Sequence, residues 1–297
     1  MKILITGGAG YIGAETSYSM LKKKIKPIFI DKLIYRENNI IPKKSIFYKI
    51  NTSNANIIKK IIKKHYITSV MHFAAYKDVE ESVANPSKYI TNNYLLTKKF
   101  IKCCKENGIK NFIFSSTASV YGKLKKNKKV SENYPLKSIS MYGLIKKKIE
   151  EYLKKISDNN FKFFSLRYFN VLRADKNLRY GPIGLKNYIS SNNLYKSILL
   201  NKDFKIFADN HDTRDGTPVR DFIQIDDLAE IHYKSLLYLK KNKKNQICNC
   251  SYGRGYSIEE VINILLKSKK IDWRPRNSNL KKMIFSELRW KKKLNNN

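Results

Sequence analysis

The sequence predicts an α/β fold in which a doubly wound parallel sheet is followed by a smaller, discontinuous lobe. Three observations predict it. Apolar runs bounded by turn residues alternate with helix-length amphipathic segments through the first half of the chain. A chain of 297 residues, 42% hydrophobic and 12% aromatic, has ample material for a buried core and reads as globular. A glycine-rich turn joins the first apolar run to the first amphipathic segment.

The elements follow in order. The first strand is Lys2–Thr6, carrying Ile-Leu-Ile, and the helix Gly10–Lys23 follows it. Strands are expected at Lys26–Ile30 and Ser45–Ile50, then a helix at Ala55–His65, where isoleucines recur at helical spacing. Val70–Ala74 is the next strand, Pro86–Asn107 a long helix and Asn111–Ser115 a strand. The helix Ser140–Ser157 and the strand Lys162–Arg167 complete the alternation. After Asn170 the pattern loosens into a loop-rich stretch to about Asp215. A strand-helix unit at Asp221–Lys240 is expected to rejoin the sheet, and a helix spans Ser257–Lys269. Residues 1–168 are thus read as one domain and 169–297 as a second lobe, with 221–240 returning to the first sheet.

The formal charge of +36 raises nucleic-acid binding as a class. The basic residues, however, are scattered, as at Lys22–Lys24, Lys63–Lys64, Lys146–Lys148 and Lys291–Lys293, and most fall where outer helix faces and loops are expected. Recognition of nucleic acid needs them concentrated on one face with aromatics between. Solvated faces are the reading, and no nucleic-acid partner is expected. No apolar run approaches the length of a membrane span and no leader pattern precedes the first strand, so a soluble, cytoplasmic protein is expected. Cys103, Cys104, Cys248 and Cys250 form no metal-ligand spacing with each other or with histidine, and they read as small apolar fillers. No metal is expected.

Chemistry enters at Thr6-Gly7-Gly8-Ala9-Gly10-Tyr11-Ile12-Gly13, directly after a strand and opening a helix. Glycines at 7, 10 and 13 let the backbone turn tightly and approach a pyrophosphate, which the helix N-terminus then receives with its N–H groups and the positive end of its dipole. Asp31 closes the next strand, 18 residues past Gly13. A carboxylate there accepts ribose hydroxyls and repels a 2′-phosphate, which favours NAD over NADP. The prediction is therefore a Rossmann sheet with a smaller, discontinuous α/β substrate-binding lobe.

The second constellation is Tyr142-Gly-Leu-Ile-Lys146 near the start of a helix. Positions i and i+4 share a face, so a phenol and an ammonium address one site. A free tyrosine has a pKa near ~10. A neighbouring ammonium, together with the positive nicotinamide, favours phenolate and brings it into working range. Thr117, at the end of the preceding strand, can offer its hydroxyl to the reacting oxygen.

These residues resemble the extended short-chain dehydrogenase/reductase superfamily, and within it the UDP-glucose 4-epimerase family. The longer blocks that carry the resemblance are Ser115–Gly122, Leu166–Asn170 and Asp215–Phe222, with His72-Phe73-Ala74-Ala75, Lys77, Asn249–Gly253 and Gly255–Ser257. The resemblance implies that NAD is bound and that a UDP-sugar is oxidised at C4, rotated and reduced on its other face. It implies that Tyr142 is the base, that Lys146 holds the nicotinamide ribose and tunes Tyr142, and that Thr117 bonds the reacting oxygen. Gly7, Gly10, Tyr11, Ile12, Gly13, Asp31, Asn51, Phe73, Ala74, Lys77, Asn93 and Phe169 would meet the cofactor; Asn170 and Arg220 would meet the substrate, Arg220 at the UDP phosphates, where a planar fork binds in two-point fashion. His72 is assigned no role. The helices Pro86–Asn107 and Ser140–Ser157 resemble a pair that forms a dimer interface in this superfamily, implying a homodimer.

The sequence departs from the family pattern at several points. After Ser257–Lys269 the usual Arg-Arg-x-Gly-Asp loop is absent, and Lys270-Ile271-Asp272-Trp273-Arg274-Pro275 follows at once. Losing one charge-assisted contact of about 1.5–3 kcal/mol would weaken UDP binding by roughly one to two orders of magnitude. Asn51 replaces an aspartate, Lys32 and Tyr35 replace small polar residues, Gln224 stands where histidine is usual and Arg173 where glycine is usual. Residues Asn187–Leu194 match no uracil-binding stretch cleanly. Other nucleotide-sugar chemistry, or a decayed homologue kept for binding, are the alternatives.

Overall fold

The computed structural model describes residues 2–34, 40–42, 45–124, 129–177, 179–181 and 212–270, with the backbone alone over 265–270. The expectations at Tyr35, at Asn187–Leu194 and beyond residue 270 lie outside the described residues. The chain divides into two compact units. The first holds residues 1–123, 130–168 and 228–250, and the second 124–129, 169–227 and 251–297.

The first unit is built on a seven-stranded sheet. Its strands are β1 (Ile3–Thr6), β2 (Ile28–Asp31), β3 (Ile46–Lys49), β4 (Ser69–His72), β5 (Asn111–Thr117), β6 (Lys162–Tyr168) and β9 (Gln246–Cys250). They run in the order β3-β2-β1-β4-β5-β6-β9, every neighbouring pair parallel. That is the doubly wound Rossmann arrangement the sequence predicts. Parallel strands are covered on both faces, so their residues need not alternate in polarity; β1, β4 and all seven residues of β5 are buried accordingly. The strand order reverses between β1 and β4, where Thr6 lies opposite His72. In such sheets the crevice outside the carboxyl ends at the reversal is where ligands bind.

The helices of this unit are α1 (Tyr11–Lys22), α2 (Ala55–Lys64), α3 (Val79–Ala84), α4 (Pro86–Tyr89), α5 (Leu96–Glu106), α6 (Met141–Ile156) and α7 (Ile225–Asn242), the last entering it at Leu228. In α2 the isoleucine spacing buries Ile58, Ile61 and Ile62, and Asn54 caps the start by accepting from Ile57 N. Each such fully buried side chain contributes about 1.5–3 kcal/mol.

The long helix expected at Pro86–Asn107 is interrupted. Between α4 and α5, residues Ile90–Leu95 form a π-helical turn. Asn93 within it donates to Tyr76 O at 2.8 Å and accepts from Tyr76 N at 2.9 Å. This off-helix bonding accompanies the widened turn, a geometry that clusters at functional sites.

The second unit contains a three-stranded sheet of β10 (Gly255–Ser257), β8 (Val219–Gln224) and β7 (Asn170–Leu172), with β10–β8 antiparallel and β8–β7 parallel. Helix α8 (Ile258–Lys270) follows β10. The expectation that a strand at Asp221 rejoins the large sheet is corrected here. Asn170, Val171 and Leu172 lie opposite Phe222, Ile223 and Gln224, so β8 is held by β7 in the small sheet. What returns is α7 from Leu228 and the strand β9, which pairs with β6 from Phe164↔Gln246 to Tyr168↔Cys250. Its sequence, Gln-Ile-Cys-Asn-Cys, lacks the apolar run that betrays the other strands.

Two departures from the family pattern are one feature in this unit. Arg173, where glycine is usual, takes φ 89°, a left-handed conformation that side chains rarely adopt. Its guanidinium donates to Gln224 Oε1 at 3.0 Å and Asp226 Oδ2 at 2.8 Å. The glutamine in place of histidine thus supplies an acceptor for the arginine in place of glycine.

Candidate active site

The glycine turn closes onto itself. Gly10 N donates to Gly7 O and Ala14 N to Gly10 O, so the turn runs straight into α1, which has no side-chain cap at Gly10. Gly7 has φ +70°, and a Cβ there would meet Ala74 N at 2.7 Å; a Cβ on Gly13 would meet Gly7 O at 2.2 Å. Glycine is therefore required twice, once for conformation and once for close packing of helix on turn. An uncapped helix start behind such a turn is the arrangement that takes a phosphate. The residues fit a dinucleotide.

Asp31, at the end of β2, accepts from Ala9 N at 3.0 Å through Oδ2 and from Leu33 N at 2.8 Å through Oδ1. The carboxylate is thereby fixed beside the glycine turn, with lone pairs remaining for hydroxyl donors. Burial raises its pKa above the usual carboxylate value, with the backbone donors opposing. Lys32 beside it donates to Asn92 Oδ1 at 3.0 Å, and its ammonium lies 5.7 Å from the Tyr76 ring centroid. Tyr11 is buried and Ile12 partly so in the first turn of α1. Asn51 accepts from Ser53 N at 3.1 Å and shapes the turn after β3. Phe73 and Ala74 follow β4 directly: Phe73 N donates to Thr6 O at 3.0 Å and Ala74 N to the Thr6 hydroxyl at 3.5 Å. Lys77 is exposed on the segment that Asn93 clamps through Tyr76.

The Tyr142/Lys146 pair stands against the end of β5. Ser140 caps α6 by accepting from Gly143 N at 3.1 Å, and Tyr142 N donates to the Ser82 hydroxyl at 3.2 Å. Ser82 lies on α3, a helix the sequence reading missed, and nothing in its local pattern marked it as a support for the tyrosine. Thr117 hydrogen-bonds Tyr142 through its side chain, and its Oγ1 accepts from Ser119 N at 3.2 Å. Lys146 is 4% exposed; its Nζ donates to Ser115 O at 2.6 Å and lies 4.8 Å and 5.6 Å from the ring centroids of Phe114 and Tyr142. Tyr142, Lys146 and Thr117 are therefore brought together.

Burial dominates the electrostatics of the pair. Desolvation pushes the Tyr142 phenol up to about 12, and the Thr117 hydrogen bond only partly offsets this. Desolvation also brings Lys146 down to about 7, against the raising influence of Glu150. The phenol therefore stays protonated at neutral pH, while the Lys146 Nζ is committed to a backbone carbonyl. Phenolate character has to await further positive charge at the site.

His72 is a packed histidine. Its Nδ1 is 2.7 Å from Thr6 Oγ1 and its Nε2 3.4 Å from Thr97 Oγ1, and its ring stacks on Phe100 and Phe114. A second buried histidine, His232 on α7, lies with Nδ1 2.8 Å from Leu228 O, which can only accept; its Nε2 therefore accepts from the Tyr168 hydroxyl at 2.6 Å. Desolvation pushes His72 down to about 3 and His232 down to about 4, from 6.5. An unfolded chain takes up these protons as pH falls through 6.5 while the folded one does not. Stability is therefore lost from about pH 6.5 downward, by roughly 1 kcal/mol per pH unit for each histidine until its folded value is reached. Denaturant midpoints at pH 7 and pH 5 measure it: the midpoint is expected to fall at pH 5, and His232→Gln to shrink that fall. A midpoint level between the two pH values would contradict it.

Phe169, Asn170 and Arg220 belong to the second unit. Phe169 is partly buried, and Asn170 donates to Asp221 O at 2.9 Å. Arg220 is exposed on β8 and donates to Val219 O at 3.0 Å, while the Asp221 carboxylate beside it accepts from Tyr252 N at 3.2 Å. Among the described residues no group of three or more His, Cys, Asp or Glu side chains could hold a metal ion, and no helix is long and apolar enough to cross a membrane.

Comparisons with known proteins agree with this geometry. The model of the NAD dependent epimerase/dehydratase family matches residues 3–251. A UDP-glucose 4-epimerase of Lactobacillus helveticus is 33% identical over 277 residues, covering 92% of this chain and 83% of that protein. One of Haemophilus influenzae is 34% identical, covering 91% and 83%. Among solved structures, the UDP-Glc/GlcNAc 4-epimerase of Campylobacter jejuni is 32% identical with TM-score 0.82, covering 98% of this chain and 99% of that one. The UDP-glucose 4-epimerase of Bifidobacterium longum, in complex with NAD+ and UDP, is 27% identical with TM-score 0.84. With a family model spanning most of its length and relatives above 30% identity, the chain belongs to the NAD dependent epimerase/dehydratase family.

Proposed function

We propose that this protein is a UDP-hexose 4-epimerase that uses bound NAD, interconverting UDP-glucose and UDP-galactose. The observation that carries it is the meeting of Tyr142, Thr117 and Lys146 at the end of β5, in the same unit as a glycine turn that runs directly into an uncapped helix start. The relatives named UDP-glucose 4-epimerase support the substrate class.

When bound, NAD supplies a hydride acceptor and donor for the sugar's C4. The chain's own residues do the rest. The glycine turn and the start of α1 seat the pyrophosphate, and Asp31 takes ribose hydroxyls. Tyr142 removes the proton from the 4-hydroxyl and later returns one, in the role of general base and acid. Thr117 holds the same oxygen by its hydroxyl, and Lys146 holds the nicotinamide ribose. Dehydration is disfavoured because Ala118 and Ser119 follow Thr117, and neither can protonate a leaving hydroxyl. Phe169, Asn170 and Arg220 are assigned to the nicotinamide, the sugar and the UDP phosphates, and the second unit to substrate binding. The same reading has the enzyme in the cytoplasm as a homodimer through the faces of α4, α5 and α6, with Ile90 and Leu95 exposed in the π-helical turn between α4 and α5. Light scattering at the mass of a single chain would reject the dimer.

The deciding experiment incubates purified, NAD-loaded protein with UDP-galactose and, separately, UDP-N-acetylgalactosamine, and resolves the C4 epimers. Epimerised product is expected from UDP-galactose. No product from either substrate, with protein shown to be folded and loaded, eliminates the activity.

A further inference from the structure

Glu150 lies one helical turn beyond Lys146 on α6 and is 1% exposed. Its carboxylate is more fully bonded than a structural ion pair requires. Oε2 accepts from Arg167 Nη2 at 2.7 Å, and Oε1 accepts from Arg167 Nε at 3.1 Å, Ser116 Oγ at 2.6 Å and Ser165 Oγ at 3.0 Å. Arg167 is 2% exposed, and its Nη1 donates to the Tyr121 hydroxyl at 2.9 Å and to Glu132 O at 3.0 Å. Three elements are tied at one point: α6, which carries Tyr142 and Lys146; β5, whose Ser116 sits between the Ser115 carbonyl that holds Lys146 and the Thr117 that bonds Tyr142; and β6.

We propose that Glu150 is a positioning residue for the Tyr142/Lys146 pair: its buried carboxylate fixes α6 against β5 and supplies the counter-charge for the Lys146 ammonium. Lys146 is buried among the Phe114 ring, the Tyr142 ring and the Ser115 carbonyl. From β4 it faces His72, which burial keeps neutral; from β5, the Ser115 carbonyl and the Phe114 ring, neither of which carries charge; and on α6, the phenol of Tyr142, which is protonated. Glu150, one turn on, is the group whose charge favours the ammonium, and Arg167 on β6 orients that carboxylate in two-point fashion. A residue four positions past a catalytic lysine thereby sets how much of that lysine is charged near neutral pH.

The proposal rests on the roles given above to Tyr142 and Lys146, and its test does not need turnover. In protein labelled at lysine Cε, Lys146 is the resonance that titrates near pH 7 and disappears in Lys146→Arg. In Glu150→Gln its midpoint is expected to fall by about one unit, a roughly tenfold drop in the ammonium-to-amine ratio. In Glu150→Asp, where the charge stays but recedes by one methylene, a smaller fall is expected. The pH profile of kcat moves in the same direction, with KM changed less. A Lys146 midpoint equal to that of the wild type in whichever of the two variants folds overturns the proposal. Wild-type protein without epimerase activity would instead count against the proposed function while leaving the titration readable.

Discussion

Tyr142→Phe is expected to lower kcat by about 10³-fold or more while leaving bound NAD in place. The magnitude follows from the role: a positioned general acid–base contributes typically 10²–10⁴-fold, and about 10³ corresponds to roughly 4 kcal/mol of transition-state stabilisation. The specificity follows from the structure. Phenylalanine keeps the ring that lies beside the Lys146 ammonium and removes only the hydroxyl that Thr117 bonds. The groups proposed to hold the dinucleotide, the glycine turn and Asp31, take their positions from backbone bonds at Ala9, Leu33 and Gly10 that do not involve residue 142. NAD released from the denatured variant should therefore match wild type in stoichiometry. Thr117→Val removes the partner hydroxyl and keeps the shape; its loss should be smaller, because Tyr142 retains its own proton. A Tyr142→Phe enzyme within tenfold of wild type would remove the tyrosine from the chemistry.

The elements that were legible in the sequence are those whose residue types are dictated locally. The strands β1, β4 and β5 are buried on both faces, so they had to be near-continuous apolar runs. The glycines at 7 and 13 are demanded by a φ of +70° and by a 2.2 Å approach, and a carboxylate at the end of β2 stands out against its apolar strand. Spacing alone placed Tyr142 and Lys146 on one face. What was hidden depends on partners distant in sequence. β9 is polar because Asn249 donates from its backbone to Glu132 and accepts from Tyr121 at 2.6 Å, contacts more than a hundred residues apart. The π-helical turn at Ile90–Leu95 goes with an asparagine bound to residue 76. The commitment of the Lys146 ammonium to a carbonyl of β5 cannot be read from a helix repeat. Nothing in the sequence sets Glu150 apart from the other charges of a lysine-rich helix, yet in the fold it is among the most buried residues of α6.

That buried pair, Glu150 and Arg167, carries a large stability effect. Arg167→Met should destabilise the protein by about 3–5 kcal/mol, because it leaves the Glu150 carboxylate in the interior without the cation that pairs with it directly, the Lys146 ammonium being hydrogen-bonded to the Ser115 carbonyl instead. The Tyr121 hydroxyl and the Glu132 carbonyl lose their donor at the same time. Against a total stability of about 5–15 kcal/mol for a typical native protein, this change approaches the threshold for folding at all. The cost lies in the unpaired charge more than in the missing arginine, and a second substitution separates the two. In Arg167→Met/Glu150→Gln the carboxylate becomes a neutral amide whose oxygen can still accept from Ser116 and Ser165. The double variant should therefore recover a large part of the single variant's loss, a non-additivity that denaturant midpoints on the wild type and the three variants would resolve. Equal losses in the Arg167→Met single and the double variant would mean that the arginine's packing, and not the bare carboxylate, sets the cost. Recovery of stability should not bring back activity, since the double variant still lacks the negative charge proposed to keep Lys146 an ammonium: the protein would be restored as a fold while its catalytic pair stayed uncharged.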